Sequence, residues 1–144
     1  MTTFSRSEIE REFQQRLMLQ EQDDWKNWGD TFTPDATYVE HHEGTFVGRP
    51  KILEWLVPVM ARCKGWVYPI EWTAIDGDRV IYKWLNRLPG KRPDGSAYEF
   101  PGLSVSVYAG NGQWSYQEDV YNWEIAEKVI NDYIADKSAA KKAG

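Results

Sequence analysis

The stretch TFTPDATYVEHHEGTFVGRPKILEWL, from Thr31 to Leu56, decides the fold that this sequence predicts. The Pro-Asp pair beginning at Pro34 marks a turn, and the β-favouring residues after it predict a short strand. Gly48 ends this region, and Pro50 fits the first turn of a helix that we expect to reach about Cys63. The stretch therefore predicts one short strand followed closely by one helix.

The sequence on either side predicts two more helices and four long strands. Apolar residues on one face indicate a helix over residues 7–29, and Ser7 fits the start of a capping box. Asp-Gly-Asp at residues 76–78 and Gly-Asn-Gly at residues 110–112 predict hairpin turns, and Asn122 can cap a last helix. This order predicts an α+β fold, in which helices cover the concave face of a curved antiparallel sheet.

Length and charge narrow the classes of function. A chain of 144 residues suits one domain, and a net charge of −5 without a basic stripe argues against a nucleic-acid partner. No apolar run is long enough to span a bilayer, and the N-terminal segment lacks the apolar stretch of a signal peptide. We therefore expect no membrane partner and a cytoplasmic location. Cys63 is the only cysteine, which excludes an intramolecular disulfide and a cysteine zinc site.

Aromatic side chains make up 15% of the chain, with eight Trp, eight Tyr and five Phe. They bring much apolar area with little flexibility. This content is typical of a Trp-rich core or dimer face, and equally of an apolar pocket for a small molecule. The composition does not choose between these interpretations, and both can hold in one protein.

His41 and His42 are the only histidines in the chain. Because side chains alternate along a strand, Tyr38, Glu40 and His42 are expected on one face and His41 on the other. Diverging histidines cannot easily bind one metal ion, and the spacing sets no third ligand, so we predict no metal site. One histidine could carry protons near neutral pH: His42 by alternation, or His41 if a bulge shifts the strand. Two ordinary histidines at a pocket rim or dimer edge are the simpler alternative.

The opening stretch, the long hairpins and the segment GNGQWSYQEDVYN at residues 110–122 together resemble the nuclear-transport-factor-2-like superfamily, in particular its SnoaL-like branch. The resemblance covers nearly the whole chain. It implies a cone-shaped fold, one SnoaL-like domain over residues 1–137 and a homodimer. The Ala-rich C-terminus with its lysines indicates, by composition, a flexible tail at residues 138–144. Members of the superfamily include isomerases, dehydratases, epoxide hydrolases, polyketide cyclases and non-catalytic binding modules, so the fold alone does not choose a function.

The resemblance implies roles for residues at matching positions. In SnoaL-like cyclases and limonene-epoxide hydrolases an aspartate on the last strand is a general acid or base, and counting from Gly112 this position is Asp119. In the hydrolases a Tyr and an Asn on the early strand hold the reacting water, and the matching residues are Tyr38 and Glu40. The hydrolases also use an Arg and an Asp on a middle strand, where this chain has residues 84–86, Trp-Leu-Asn. The epoxide-hydrolase set is therefore incomplete.

Two other branches match less well. Scytalone-dehydratase-like enzymes pair an acid near the end of the first helix, for which Glu21 could stand, with a histidine that residues 65–67 lack. Ketosteroid isomerases place a base near the end of the early strand, at Glu40 or His41 here. Their proton-donating Asp corresponds to Ser104, so that site is incomplete too.

Alternation also makes a prediction for the last strand. Gln117, Asp119 and Tyr121 should share one face, and Trp114 and Glu118 the other. The pattern does not say which face is inside. The family resemblance favours a pocket position for Asp119, where it could exchange protons with a substrate.

We therefore predict a cofactor-independent enzyme that acts on an apolar small molecule by general acid–base chemistry, of the isomerase, cyclase, hydratase or epoxide-hydrolase type. The alternative is a module of the same fold that binds a hydrophobic ligand or pairs two subunits without chemistry. The predicted catalytic residues are Asp119, His42, His41, Glu40 and Tyr38, and the predicted substrate-binding residues are Trp28, Trp84, Asn86, Tyr121 and Glu21.

Overall fold

The computed structural model describes residues 4–143 and has four helices and six strands in this range. The helices are α1 (Arg6–Glu21), α2 (Trp25–Asp30), α3 (Arg49–Arg62) and α4 (Trp123–Ala143). The strands are β1 (Phe32–Glu40), β2 (Gly44–Val47), β3 (Ile70–Asp76), β4 (Arg79–Lys91), β5 (Ala97–Gly110) and β6 (Gln113–Tyr121).

The six strands form one curved sheet in the order β2-β1-β6-β5-β4-β3. The α+β class is confirmed, and the predicted hairpins β3–β4 and β5–β6 are antiparallel. Strands β1 and β6, however, run parallel, so the prediction of a purely antiparallel sheet is wrong and the sheet is mixed. This pairing places Glu40 beside Asp119 and Tyr38 beside Gln117. Residues far apart in the sequence thus meet on one face.

The predicted first helix is two helices. The chain leaves α1 before Asp23, whose positive φ of 58° a continuing helix does not allow. Asp24 then caps α2 by accepting a hydrogen bond from the Asn27 backbone N–H at 3.2 Å. At its start, α1 is capped by Ser5 rather than by the predicted Ser7. The break turns the tryptophans of α2 into the core, where both are buried.

An irregularity in β6 places more residues on the inner face than alternation predicts. The register shifts between the pairs Val107–Tyr116 and Tyr108–Trp114, which leaves one extra residue on β6, as in a β-bulge. Trp114 is therefore fully buried, as is Gln117, although alternation predicts opposite faces for them. That prediction is wrong because the bulge resets the alternation.

Two apolar clusters fill the space between the helices and the sheet. The larger one joins α1, α2 and α3 to the sheet and includes Phe13, Trp28 and Leu56. The smaller one packs α4 against β4 and β5 and includes Phe100 and Ala126. Residues from both clusters contribute to the wall of one cavity, which therefore lies where the clusters meet.

Helix α4 continues to Ala143 and so includes most of the segment predicted as a flexible tail. Residues 137–143 are exposed. The domain bounds of 1–137 and the flexibility of the tail stay predictions. Neither α4 nor any other helix within residues 4–143 is long and apolar enough to cross a membrane.

Candidate active site

A cavity of about 650 Å³ opens between the two apolar clusters. This volume suits a small organic molecule. Twelve of the 27 lining residues are aromatic, and several of their rings also belong to the core, so both interpretations of the aromatic content hold. The aromatic residues of the wall include Trp25, Trp28, Tyr38, Trp55, Tyr68, Tyr82, Trp84, Phe100, Tyr121 and Trp123.

Asp119 lies in the cavity wall and accepts hydrogen bonds from three side chains. Tyr38 Oη donates to Oδ2 at 2.5 Å, Ser104 Oγ donates to Oδ1 at 2.7 Å, and Gln117 Nε2 donates to Oδ1 at 2.9 Å. The strand register explains this convergence, because Asp119 pairs with Ser104 on β5 and lies next to β1 on its other side. The donors hold the carboxylate in one orientation, with Oδ2 directed at the tyrosine hydroxyl.

The hydroxyl of Tyr38 is protonated at neutral pH. Burial raises the pKa of Tyr38 well above its usual value, and the negative charge of Asp119 and its hydrogen bond raise it further. The positive charge of Arg16 lowers this pKa by a smaller amount. Tyr38 therefore keeps its proton and directs it at Asp119.

A buried arginine lies behind Gln117. Arg16, on α1, is only 2% exposed, and its guanidinium lies 4.0 Å from the centre of the Trp28 ring. Burial lowers the pKa of Arg16 to about 10, so the side chain stays charged at neutral pH. Its Nη1 donates to Gln117 Oε1 at 3.3 Å, and Ser106 Oγ donates to the same oxygen. Because these donors occupy the amide oxygen, the amide nitrogen faces Asp119.

Glu40 is the second acid in the cavity wall, and it is 7% exposed. Its carboxylate accepts hydrogen bonds from Tyr121 Oη at 3.1 Å and from the backbone N–H of His42 at 2.8 Å. Burial raises the pKa of Glu40, the two hydrogen bonds lower it, and the negative charges of Asp119 and Glu43 raise it further. Glu40 is thus a buried acid whose charged neighbours are also acids.

The two histidines lie in a turn, since residues 41–43 connect β1 to β2. The prediction that strand alternation sets their directions is therefore wrong. His41 Nε2 lies 2.7 Å from Glu118 Oε2, on the sheet face opposite the cavity. His42 stacks on Trp123, with ring centres 3.6 Å apart, and Trp123 borders the cavity. A catalytic role for either histidine stays a prediction that these positions do not support.

Four of the five predicted substrate-binding residues line the cavity. Glu21 is the exception, because it is exposed at the end of α1 while its neighbour Gln20 lines the cavity. Trp84 is held by a hydrogen bond from its Nε1 to Ser104 Oγ at 2.8 Å. Asn86 Oδ1 is buried without a hydrogen-bond partner within residues 4–143. The residues that do line the cavity are Trp28, Trp84, Asn86 and Tyr121.

Several residues of the hydrogen-bond network were not predicted, and Gln117 and Arg16 are the two that contact the most partners. Gln117 could have been found, because it lies two positions before Asp119 on the same predicted strand face. Arg16 gave no signal, since a charged residue within a helix is usually exposed. Within the described part of the chain, no three His, Cys, Asp or Glu side chains come together as a possible metal-binding group.

A six-stranded mixed sheet that curves around a cavity closed by helices defines the class of nuclear-transport-factor-2-like proteins. Within this class the assignment is more specific. The family model described as a SnoaL-like domain matches residues 13–117, and the chain belongs to this family.

Solved structures share the fold at low sequence identity. TerC, co-crystallised with polyporic acid, is 16% identical with a TM-score of 0.68, over 85% of this chain and 98% of that chain. A Shewanella putrefaciens protein assigned as a SnoaL-like polyketide cyclase is 11% identical with a TM-score of 0.72, over 86% of each chain. The LEH-like epoxide hydrolase of M. tuberculosis is 14% identical with a TM-score of 0.67, over 93% of each chain. At these identities the likeness shows the fold alone, and no curated protein matches the sequence.

Proposed function

We propose that this protein is a cofactor-independent enzyme that moves protons to or from an apolar small molecule bound in its cavity. The observation that carries the proposal is the hydrogen bond from Tyr38 Oη to Asp119 Oδ2 at 2.5 Å, in the wall of an aromatic cavity. Acid–base pairs placed in partly buried clefts in this way cluster at functional sites. The same fold occurs in an epoxide hydrolase, which supports an enzymatic function.

In the proposed reaction Asp119 is the general base. Its carboxylate takes a proton from an acidic carbon of the substrate, or from a water molecule that attacks the substrate. Once Oδ2 is protonated, the Tyr38 hydroxyl can donate to a substrate oxygen that gains negative charge. Ser104 and Gln117 keep Oδ1 in place throughout. Return of the proton from Asp119 to the product restores the starting pair, so the enzyme is unchanged.

Several reactions use a base and a hydrogen-bond donor in this way. Isomerisation, cyclisation, hydration and epoxide opening each need one base and one hydrogen-bond donor. The complete epoxide-hydrolase set is not present, since Trp84 and Asn86 occupy the middle-strand positions and line the cavity. Glu40 adds a second acid where that set has an amide.

The test is isotope uptake from labelled water. Epoxides, enones and polycyclic ketones are incubated with the protein in heavy-oxygen water and, separately, in deuterated water. Mass spectrometry then measures how much of each label the products contain. Heavy-oxygen uptake indicates hydration or hydrolysis, whereas deuterium uptake alone indicates proton abstraction beside a carbonyl. We expect uptake that depends on the protein and falls by about 100-fold or more in Asp119→Asn.

The outer face of the sheet provides matched controls. Tyr116 Oη donates to Glu118 Oε1 at 2.9 Å, so this pair repeats the tyrosine–carboxylate contact outside the cavity. Glu118→Gln and Tyr116→Phe should keep the uptake, whereas Asp119→Asn and Tyr38→Phe should lose it. Equal losses in both pairs, or full uptake in Asp119→Asn, would contradict the proposed role.

The alternative function is binding of a hydrophobic ligand without chemistry. The size of the cavity and its aromatic lining support this function as much as they support catalysis. Thermal melts of the same compound panel separate the two functions. If compounds raise the melting temperature while neither label enters any product, the binding function replaces the catalytic one.

The predicted homodimer is a separate proposal for the outer face of the sheet. Leu103 and Val120 are cross-strand partners on this face and both are exposed. Trp114, by contrast, is fully buried and does not contribute to a flat aromatic patch. Sedimentation equilibrium should give a dimer that Leu103→Glu converts to a monomer; a native monomer would refute the proposal.

A further inference from the structure

Glu40 is a buried acid without a cation beside it. The charged groups that act on it are Asp119 and Glu43, both of them acids. Within residues 4–143, no Lys, Arg or His side chain forms an ion pair with Glu40. The Arg16 cation is bonded to the far side of Gln117, where it interacts with Asp119 instead. Burial and the neighbouring acids disfavour the ionised form of Glu40, and a cation bound beside it would favour that form.

Aromatic rings line the cavity into which Glu40 faces, and one of them, Tyr121, contacts its carboxylate. Tyr121 donates its hydroxyl to this carboxylate, and its ring centre lies 6.3 Å from that of Trp84. Trp123, two residues after Tyr121, lines the same cavity, with His42 stacked on one face of its ring and the other face left for a ligand. We call Trp84, Tyr121 and Trp123 the aromatic wall. The negative face of an aromatic ring attracts a cation within about 6 Å of its centre, and tryptophan does so most strongly.

Two aromatic donors of the cavity are already in use. The Tyr121 hydroxyl and the Trp84 indole N–H both donate to protein oxygens. Asn86, in the same cavity, instead has a buried oxygen without a partner. Among the buried donors without a partner within residues 4–143, Trp55 Nε1 lines this cavity, and its ring lies 5.0 Å from that of Tyr38, beside the proposed base. Glu40 therefore offers the cavity a charged acceptor, and Trp55 Nε1 offers a donor for a ligand oxygen near Tyr38.

We propose that the ligand of this cavity carries a basic amine, which binds as an ammonium ion at Glu40 and the aromatic wall. Its apolar body fills the rest of the cavity and reaches Asp119 and Tyr38. The inference rests on the proposed function for the cavity it uses, and it adds the class of substrate. Arg62 and Lys64 also border the cavity, but both are exposed at the end of α3, where water and salt screen their charges.

The test compares two probes of the same shape that differ in charge. The probes are (4-hydroxyphenyl)trimethylammonium and 4-tert-butylphenol, in which a neutral carbon replaces the charged nitrogen. Each is titrated at neutral pH into nitrogen-15-labelled protein, and dissociation constants are taken from the indole N–H signals of the eight tryptophans. The cation should bind about 10-fold or more tightly than the neutral probe. This preference should fall below about 3-fold in Glu40→Gln and stay unchanged in Glu118→Gln.

Three results would overturn the inference: equal or tighter binding of the neutral probe, a preference that survives in Glu40→Gln, or no indole shift with either probe at millimolar concentration. Glu40→Gln keeps an oxygen for the Tyr121 hydrogen bond, and the preference of the native protein decides the question even if the variant does not fold. If only the neutral probe binds, the inference of an amine ligand is wrong but the proposed catalytic function is not, because isotope uptake tests that function independently.

Discussion

Replacing Gln117 by leucine should destabilise the fold, because this amide connects the buried arginine to the proposed base. The amide oxygen accepts hydrogen bonds from Arg16 and Ser106, and the amide nitrogen donates to Tyr82 and Asp119. Leucine has a similar volume but forms none of these bonds. The charged guanidinium, whose Nη2 is already without a partner within residues 4–143, would then lose a second contact.

The expected loss in the free energy of unfolding comes from the buried groups that lose a hydrogen-bond partner. Arg16 and Ser106 are both fully buried; Ser106 loses its acceptor at Gln117, and Arg16 Nη1 keeps only its longer bond to Ser106 Oγ at 3.4 Å. A buried polar group that loses its partner costs about 1–3 kcal/mol, which gives about 2–6 kcal/mol for the two. The apolar leucine returns about 1–2 kcal/mol by its burial. The expected net loss is about 3 kcal/mol, or about 10 °C in melting temperature for a domain of this size.

Urea denaturation followed by tryptophan fluorescence measures this loss, with Gln117→Glu as the matched variant. Glutamate keeps an acceptor for Arg16 but replaces the N–H donor to Asp119 with a second carboxylate, so isotope uptake should fall, and stability should be lost at neutral pH and regained as the pair is protonated at acid pH. A Gln117→Leu variant within about 0.5 kcal/mol of the native protein would refute the network as a source of stability.

Three further perturbations have outcomes that follow from single contacts. Glu40→Gln should become more stable than the native protein as pH rises above 4.5, the usual glutamate pKa. The reason is that a raised pKa in the folded state means that ionisation of the buried acid destabilises this state. Thermal melts at a series of pH values should show no difference between the two proteins at acid pH, and a difference that does not change with pH would contradict this. Gly102→Ala should lower both stability and ligand affinity, because its new Cβ would overlap the Trp84 ring. Adding Trp84→Leu should restore the stability measured by urea denaturation, but not the affinity measured by ligand titration. Asp24→Ala should cost about 1 kcal/mol in the same urea assay by removing the α2 cap at Asn27, and no loss would mean that the helix start depends on tertiary packing alone.

The parts of the fold that the sequence predicts are those decided by neighbouring residues. Both hairpins form at the Gly-containing turns of residues 76–78 and 110–112, because turn residues act over a few positions. The helix at residues 49–62 begins beside Pro50 as expected. Asp119, Tyr38 and Glu40 are placed in the cavity wall, where the family resemblance put them.

The structure differs from the sequence-based predictions where contacts between distant residues, or a single unusual dihedral angle, determine the conformation. The parallel pairing of β1 with β6 depends on strands more than 70 residues apart, which no local pattern encodes. The helix break depends on the positive φ of Asp23, and the burial of Trp114 on one extra residue in β6. Arg16 is buried because three aromatic rings and a neutral amide surround its charge, and these partners come from other elements.

The most direct test of the central claim is a double-mutant cycle on isotope uptake with Tyr38→Phe, Asp119→Asn and both changes together. If the two side chains act as one proton-transfer pair, the double variant should lose about as much activity as Asp119→Asn alone, because Tyr38 can donate to the substrate oxygen only after Asp119, which it contacts at 2.5 Å, has taken the proton. Losses that simply multiply would mean that the two residues act independently. Uptake that persists in the double variant would contradict the assignment of this pair as the catalytic centre.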